Sequence, residues 1–207
     1  MIIEQILVTP MAVFCYLVAD ENVREGVLID PAGDHDAIAG AVDRHGVTIT
    51  YIINTHGHFD HTAGNDYWMK RTGAPLLIHE ADIRKLGSLT TRFFSRTMGG
   101  KTSPMPEMTI RDGDIIRFGS EQLRVIHTPG HSEGCVCLYA PGHLFTGDTL
   151  FTEGMGRTDL ADGSEKNIMN SILNKILTLP DDTIIWPGHH YGRHPTSTVG
   201  EQKKYYL

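Results

Sequence analysis

Thr55-His56-Gly57-His58-Phe59-Asp60-His61 sets four potential metal donors, His56, His58, Asp60 and His61, directly after the apolar run Tyr51-Ile52-Ile53. A regular strand would send His56, His58 and Asp60 to one face. Gly57 and its neighbours favour a loop instead, free to wrap around two ions. Three remote turns repeat the theme of an apolar strand ending in a donor. Leu123-Arg124-Val125-Ile126 leads to Pro129-Gly130-His131, Leu144-Phe145 to Gly147-Asp148, and Thr183-Ile184-Ile185-Trp186 to Pro187-Gly188-His189. A sheet whose strands stop at one edge would bring these turns to a common mouth. Five imidazoles and two carboxylates there can hold one or two divalent cations. Imidazole with carboxylate suits Zn²⁺, Fe²⁺ or Mn²⁺. A structural zinc site closes with four protein ligands, often cysteines, so a larger donor set points to two ions with room for water.

Composition narrows the class. At 207 residues, 40% hydrophobic and 21% charged, the chain can bury a full core and reads as a single domain over residues 1–207. A formal charge of −7 argues against a nucleic-acid or anionic-membrane surface. No apolar stretch approaches the roughly 20 residues of a membrane span. Met1-Ile2-Ile3-Glu4-Gln5 lacks the basic start and apolar run of a signal peptide, so a cytoplasmic location is expected. Cys15, Cys135 and Cys137 are too few and too odd for a disulfide framework and read as small buried hydrophobes.

Pattern and turn signals outline the elements. Strands are expected at Ile2–Val8, Val13–Val18, Val27–Ile29, Thr50–Ile53 and Leu76–Ile78, then a meander of Asp114–Phe118, Gln122–His127, Val136–Tyr139 and Leu144–Thr146, with Thr183–Trp186 as the last core strand. Helices are expected from Asp34 to His45 with Gly46 as a stop, from about Ala63 to Arg71, and from an N-cap at Ser164 to Leu179. His79-Glu80-Ala81-Asp82 opens a short helix, and Thr198 with Glu201 forms a capping-box pattern for a C-terminal one. Residues from Gly87 to Met108 read as an irregular loop that could cover the metal mouth. Each half runs strands then helix, so two sheets packed face to face with helices outside would use every element.

The pattern His-x-His-x-Asp-His, followed at long spacings by Pro-Gly-His, Gly-Asp and Pro-Gly-His, resembles the metallo-β-lactamase-fold superfamily from about Val13 to Leu207. The resemblance implies an α+β fold, a four-layer αββα sandwich with metals at one edge of the two sheets. It implies one metal on His56, His58 and His131, a second on Asp60, His61 and His189, and Asp148 as a bridge. Two divalent ions, Zn²⁺ first and Fe or Mn as alternatives, are the expected cofactors. The mechanism implied is metal-assisted hydrolysis, since metal binding lowers the pKa of water from about 16 to about 7. Asp60 would orient the resulting hydroxide toward a small-molecule thioester or ester.

Within that superfamily, Asp148 and the missing export signal speak against true β-lactamases, and His58 against the diiron oxygen-reducing branch. The short acidic chain speaks against the nuclease branches. Two branches remain. Glyoxalase II and its relatives hydrolyse acyl-glutathione thioesters. Persulfide dioxygenases oxidise glutathione persulfide on one iron, which His56, His131 and Asp148 would hold here. Gly154-Met155-Gly156-Arg157-Thr158-Asp159 and the stretch after Pro187 resemble both groups. The favoured expectation is a dinuclear, glyoxalase II-like thioester hydrolase. The dioxygenase is the alternative, and a non-catalytic metal-binding partner a minor third. Arg157 is read as a clamp for a substrate carboxylate or a partner of Asp159, and Tyr191 as a substrate contact or a packed ring. Phe93, Phe94 and Met98 are candidates to line an acyl pocket.

Overall fold

The computed structural model describes residues 1–8, 11–89, 91, 93 and 101–207. In the first sheet, β1 (Ile2–Val8), β2 (Val13–Ala19) and β3 (Glu25–Ile29) pair antiparallel. Then β4 (Thr48–Ile53), β5 (Leu76–His79) and β6 (Met108–Ile110) add in parallel, giving the order β1-β2-β3-β4-β5-β6. Parallel neighbours need crossovers. These carry α1 (His35–His45) between β3 and β4, and α2 (Phe59–Thr62) with α3 (Asn65–Thr72) between β4 and β5. A 3-10 turn, Glu80–Asp82, runs into α4 (Ile83–Leu86) after β5.

The second sheet holds β7 (Ile115–Phe118), β8 (Glu121–His127), β9 (Val136–Ala140), β10 (His143–Gly147), β13 (Ile184–Pro187) and β14 (Ser197–Thr198), in the order β14-β13-β10-β9-β8-β7. Between β10 and β13 lie a small hairpin, β11 (Leu150–Phe151) with β12 (Gly154–Met155), and helix α5 (Glu165–Ser171). Helix α6 (Val199–Tyr206) closes the chain.

Three apolar layers hold this together, as the αββα expectation requires. Alternate residues of β2 serve two of them. Cys15, Leu17 and Ala19 pack with Ile38 and Ala41 of α1 and Trp68 of α3. Phe14, Tyr16 and Val18 face Phe118, Leu123, Leu138 and Phe145 across the sheet interface. Ile126, Cys137, Leu144 and Ile185 on the far side of the second sheet receive Ile168, Ile172, Ile176 and Val199. A strand buried on both faces explains why β2 is apolar throughout rather than alternating. Among the described residues no helix is long and apolar enough to cross a membrane.

The stop and capping signals read at Gly46, Ser164 and Thr198 are present, and Asp34, read as the start of the first helix, is its N-cap. Asp34 accepts from the Ala37 N–H at 3.3 Å, Ser164 from the Asn167 N–H at 3.3 Å, and Thr198 with Glu201 forms a full capping box. Two expectations are corrected. The helix after Ser164 does not stay α to Leu179, because Ile172–Ile176 form a π segment with Leu177 N–H bonded to the Ile172 carbonyl at 2.9 Å. The wider turn brings Ile176 back over Ile168, so both reach the core. Met108, read as the last residue of an irregular loop, instead opens the edge strand β6, Met108–Ile110. Three residues are too few to display a period.

Candidate metal centre

Parallel pairs β3/β4 and β10/β13 end at the same edge of the sandwich, where the two sheets are stitched together. Val136 N–H bonds to the Thr55 carbonyl at 2.9 Å, and Phe14 N–H to the Gly188 carbonyl at 2.8 Å. All seven donors meet there. His58 Nδ1 lies 2.9 Å from His131 Nε2, and His61 Nε2 lies 3.1 Å from His189 Nε2. Asp148 sits centrally, with Oδ1 3.4 Å from His61 Nε2 and Oδ2 3.5 Å from His131 and 3.3 Å from His189. Asp60 Oδ2 is 3.5 Å from His189 Nε2. Three donor groups have ligand atoms within 4.8 Å of one another: His56/His58/His131, His56/His61/Asp148 and Asp60/His61/His189.

An outer ring of acceptors selects the tautomers. His131 Nδ1 donates to the Arg157 carbonyl at 2.8 Å and His189 Nδ1 to the Met11 carbonyl at 2.9 Å. His61 Nδ1 donates to Asp30 Oδ2 at 3.0 Å. Thr55 Oγ1 spends its own proton on Asp30 Oδ2 at 2.6 Å, so toward His56 Nδ1, 3.1 Å away, it can only accept. Four rings therefore carry hydrogen on Nδ1 and turn Nε2 toward the centre, whereas His58 turns Nδ1 inward. Asp30 adopts φ +50°, a left-handed conformation that Asp tolerates better than most residues and that turns its carboxylate back under the ligand loop.

Electrostatics divide the centre in two. Burial, reinforced by His61, holds the His56 imidazole well below its ordinary range, and burial with His131 brings His58 down to about 4. Burial would also lower His61 and His189, but Asp148 foremost outweighs it, raising His61 well above its ordinary range and pushing His189 up to about 9. Burial works against ionising Asp148 and Asp60, yet His61 and His189 hold both carboxyls below the usual range.

The donors fit a divalent cation. His56 Nε2 and Asp148 Oδ1 are buried with no hydrogen-bond partner among the described residues. An unsatisfied buried polar atom costs about 1–3 kcal/mol, and a metal ion held by these two residues would remove that cost. Imidazole and carboxylate without thiolate is a borderline donor set, open to iron, manganese and zinc.

Above the donors opens a cavity of about 890 Å³, with His58, Asp60, His131, Asp148 and His189 in its floor and Phe151, Met155, Leu160 and Met11 among its apolar walls. Tyr191 and Arg157 line it too. The Tyr191 ring stacks on His189, centroids 4.4 Å apart at 11°, and meets Phe151 edge-on at 5.3 Å. Arg157, 64% exposed, forms a two-pronged pair with Asp159 at 2.7 and 2.8 Å. Phe93 is 64% exposed, while Phe94 and Met98 lie outside the described residues. Of the long loop, Ser88 and Thr91 reach the cavity wall. Reading along the chain missed Asp30, Asp82 and Lys85. A carboxylate ending the buried run Val27-Leu28-Ile29 was a usable signal for Asp30, because charge at the end of an apolar strand needs a partner.

The chain belongs to the metallo-beta-lactamase superfamily, whose pattern it matches over residues 8–189. Its relatives narrow the branch. It is 36% identical to the mitochondrial persulfide dioxygenase ETHE1 of Homo sapiens, over 92% of this chain and 68% of that one. The crystal structure of ETHE1 from Myxococcus xanthus superposes with a TM-score of 0.83 at 28% identity, covering 100% of this chain and 83% of that one. A structure described as the BLEG-1 B3 metallo-beta-lactamase gives 0.88 at 32% identity, covering 98% and 97%. TTHA1623 in a di-iron-bound form gives 0.84 at 29% identity, covering 97% of both chains. The expectation of a glyoxalase II-like thioester hydrolase is corrected by the relative named as a persulfide dioxygenase and by the ETHE1 structure. The ligand residues alone favoured neither branch, since one donor set serves hydrolytic and oxidative chemistry alike.

Proposed function

We propose that this protein is a persulfide dioxygenase whose iron is held by His56, His131 and Asp148. The observation carrying this reading is the 36% identity to a named persulfide dioxygenase along 92% of the chain. Two imidazoles and one carboxylate are the donor set of non-haem iron oxygenases, in which bound iron supplies the chemistry that activates dioxygen and keeps positions open for substrate. The chain's own residues prepare that set. Thr55 and the Arg157 carbonyl lock the His56 and His131 rings. The low proton affinity of His56 keeps its Nε2 lone pair available near neutral pH. Phe151, Met155 and Leu160 give a persulfide's sulfurs an apolar, water-poor wall. Lys85 and Arg157 line the same cavity, and a substrate carboxylate would compete there with their present partners Asp162 and Asp159. Tyr191 braces His189 by stacking.

The di-iron form of TTHA1623 motivates counting metal as well as activity, because Asp60, His61 and His189 offer a second seat. The protein is loaded with ferrous iron under anaerobic conditions, its metal content is measured, and oxygen consumption is followed with glutathione persulfide. The expected result is persulfide-dependent oxygen uptake at about one iron per chain, with iron and uptake both lost in Asp148→Ala. No uptake at full iron loading would refute the assignment. So would turnover of a thioester or a β-lactam without oxygen consumption.

A further inference from the structure

Asp82 ends the 3-10 turn before α4, is fully buried, and touches neither the cavity nor any of the seven donors. Three of its four side-chain contacts are nonetheless with the loops that carry those donors. Oδ2 accepts from the Gly57 N–H at 2.7 Å and from Ser132 Oγ at 2.7 Å. Oδ1 accepts from the Gly134 N–H at 2.9 Å and faces the Lys85 ammonium at 3.4 Å. Gly57 lies between His56 and His58, and Ser132 directly follows His131.

The approach demands two glycines. A Cβ on Gly57 would stand 2.9 Å from the Asp82 carbonyl oxygen, and one on Gly134 would stand 2.6 Å from Asp82 Cγ. Neither glycine has positive φ, so what they provide here is room rather than an unusual backbone. From the same stretch, Lys85 reaches out to Asp162, which also accepts from the Glu133 N–H at 3.0 Å. The segment holding Asp162 also supplies the Arg157 carbonyl that orients His131.

We propose that Asp82, with Lys85 as its outer arm, is a positioning residue of the metal centre, setting the separation between the His56/His58 loop and the His131 loop. This rests on the metal centre alone and is independent of the reaction run there. Four donors converge on the Asp82 carboxylate, and only an acceptor-only group satisfies them all. In Asp82→Asn the amide NH₂ must face the N–H of either Gly57 or Gly134, so one ligand loop loses a hydrogen bond and meets a donor in its place whichever way the amide turns.

The test uses Co²⁺ as the probe, titrated into metal-free protein against a competing chelator, with the visible absorption of the Co²⁺-loaded protein as a report of ligand geometry. Asp82→Asn is expected to weaken Co²⁺ binding by about 10–100-fold, the range found when the partners of metal ligands are removed, and to shift the absorption bands. Ser132→Ala loses one of the hydrogen bonds and is expected to weaken binding by about threefold or more. Asp20→Asn is the control, because Asp20 accepts hydrogen bonds from Asn22, Val23 and Ser120, none of which adjoins a metal donor. It is expected to lower the melting temperature with Co²⁺ affinity and spectrum unchanged. A folded Asp82→Asn protein with wild-type affinity and spectrum would overturn the proposal. If Asp82→Asn does not fold, wild-type values in both Ser132→Ala and Lys85→Met would overturn it instead. An equal loss of affinity in Asp20→Asn would overturn it too, by showing that affinity follows overall stability.

Discussion

At the scale of single residues, the centre is built from relays rather than isolated ligands. Thr55 is the clearest case, receiving from His56 while donating to Asp30, which also receives from His61. Thr55→Val keeps the shape and removes the relay. Metal affinity is expected to fall about tenfold, read by chelator competition, and Thr55→Ser is expected to restore it. The seven donors were legible along the chain because each follows an apolar run and a turn residue. Asp30 and Asp82 were not legible in their roles. Asp30 meets Thr55 25 positions away and Asp82 meets Ser132 50 positions away, and no local pattern announces such pairings.

At the scale of elements, the end of the sandwich away from the metals is pinned by Asp20, which follows β2. Its carboxylate accepts from Ser120 Oγ at 2.5 Å and from the N–H groups of Ser120, Asn22 and Val23 at 2.7, 2.7 and 3.0 Å. The turn between β2 and β3 is thereby tied to the turn between β7 and β8 in the opposite sheet. Those hydrogen bonds, led by the Ser120 hydroxyl, hold the Asp20 carboxyl well below the usual carboxylate range. A depressed folded-state pKa gives stability that is complete above the unfolded value of about 3.9 and is lost as pH falls below it. The melting-temperature gap between wild type and Asp20→Asn should therefore be constant at neutral pH and close steadily below about pH 4. A gap at pH 2 as wide as the gap at neutral pH would contradict the assignment. Long elements with caps and stripes were read well from sequence. The two- and three-residue strands β6, β11, β12 and β14 were not, because their pairing partners alone define them.

At the scale of the whole molecule, the sandwich concentrates charge at one edge, and metal and protons compete for it. In the metal-free protein His189, at about 9, is raised from an ordinary 6.5. Its protonation therefore stabilises the metal-free fold fully below pH 6.5, and that stability is lost as pH rises through about 9. Metal binding needs the bare ring and so strengthens over the same range. The melting-temperature difference between metal-loaded and chelated protein is expected to widen from pH 6.5 to pH 9. At a free metal concentration 100 times the Kd it should reflect about 2.7 kcal/mol, which for a chain this size is about 5–10 °C. A difference that shrinks with rising pH would show that His189 does not carry the proton.

The chain by itself determined which residues are candidate ligands and in which loops they lie, because glycine, proline and apolar runs impose local geometry wherever they occur. It also determined the superfamily, since the same donors recur at the same stations. Only the tertiary structure decided what supports those donors. Tautomers, proton affinities and loop spacing arise from groups brought within 3 Å by two sheets closing on each other, and such distances are a property of the packed whole. The choice between hydrolysis and oxygenation lay beyond the ligand set for the same reason. It depends on what surrounds the donors, and what favours oxygenation here is the 36% identity to a named persulfide dioxygenase rather than the donors themselves.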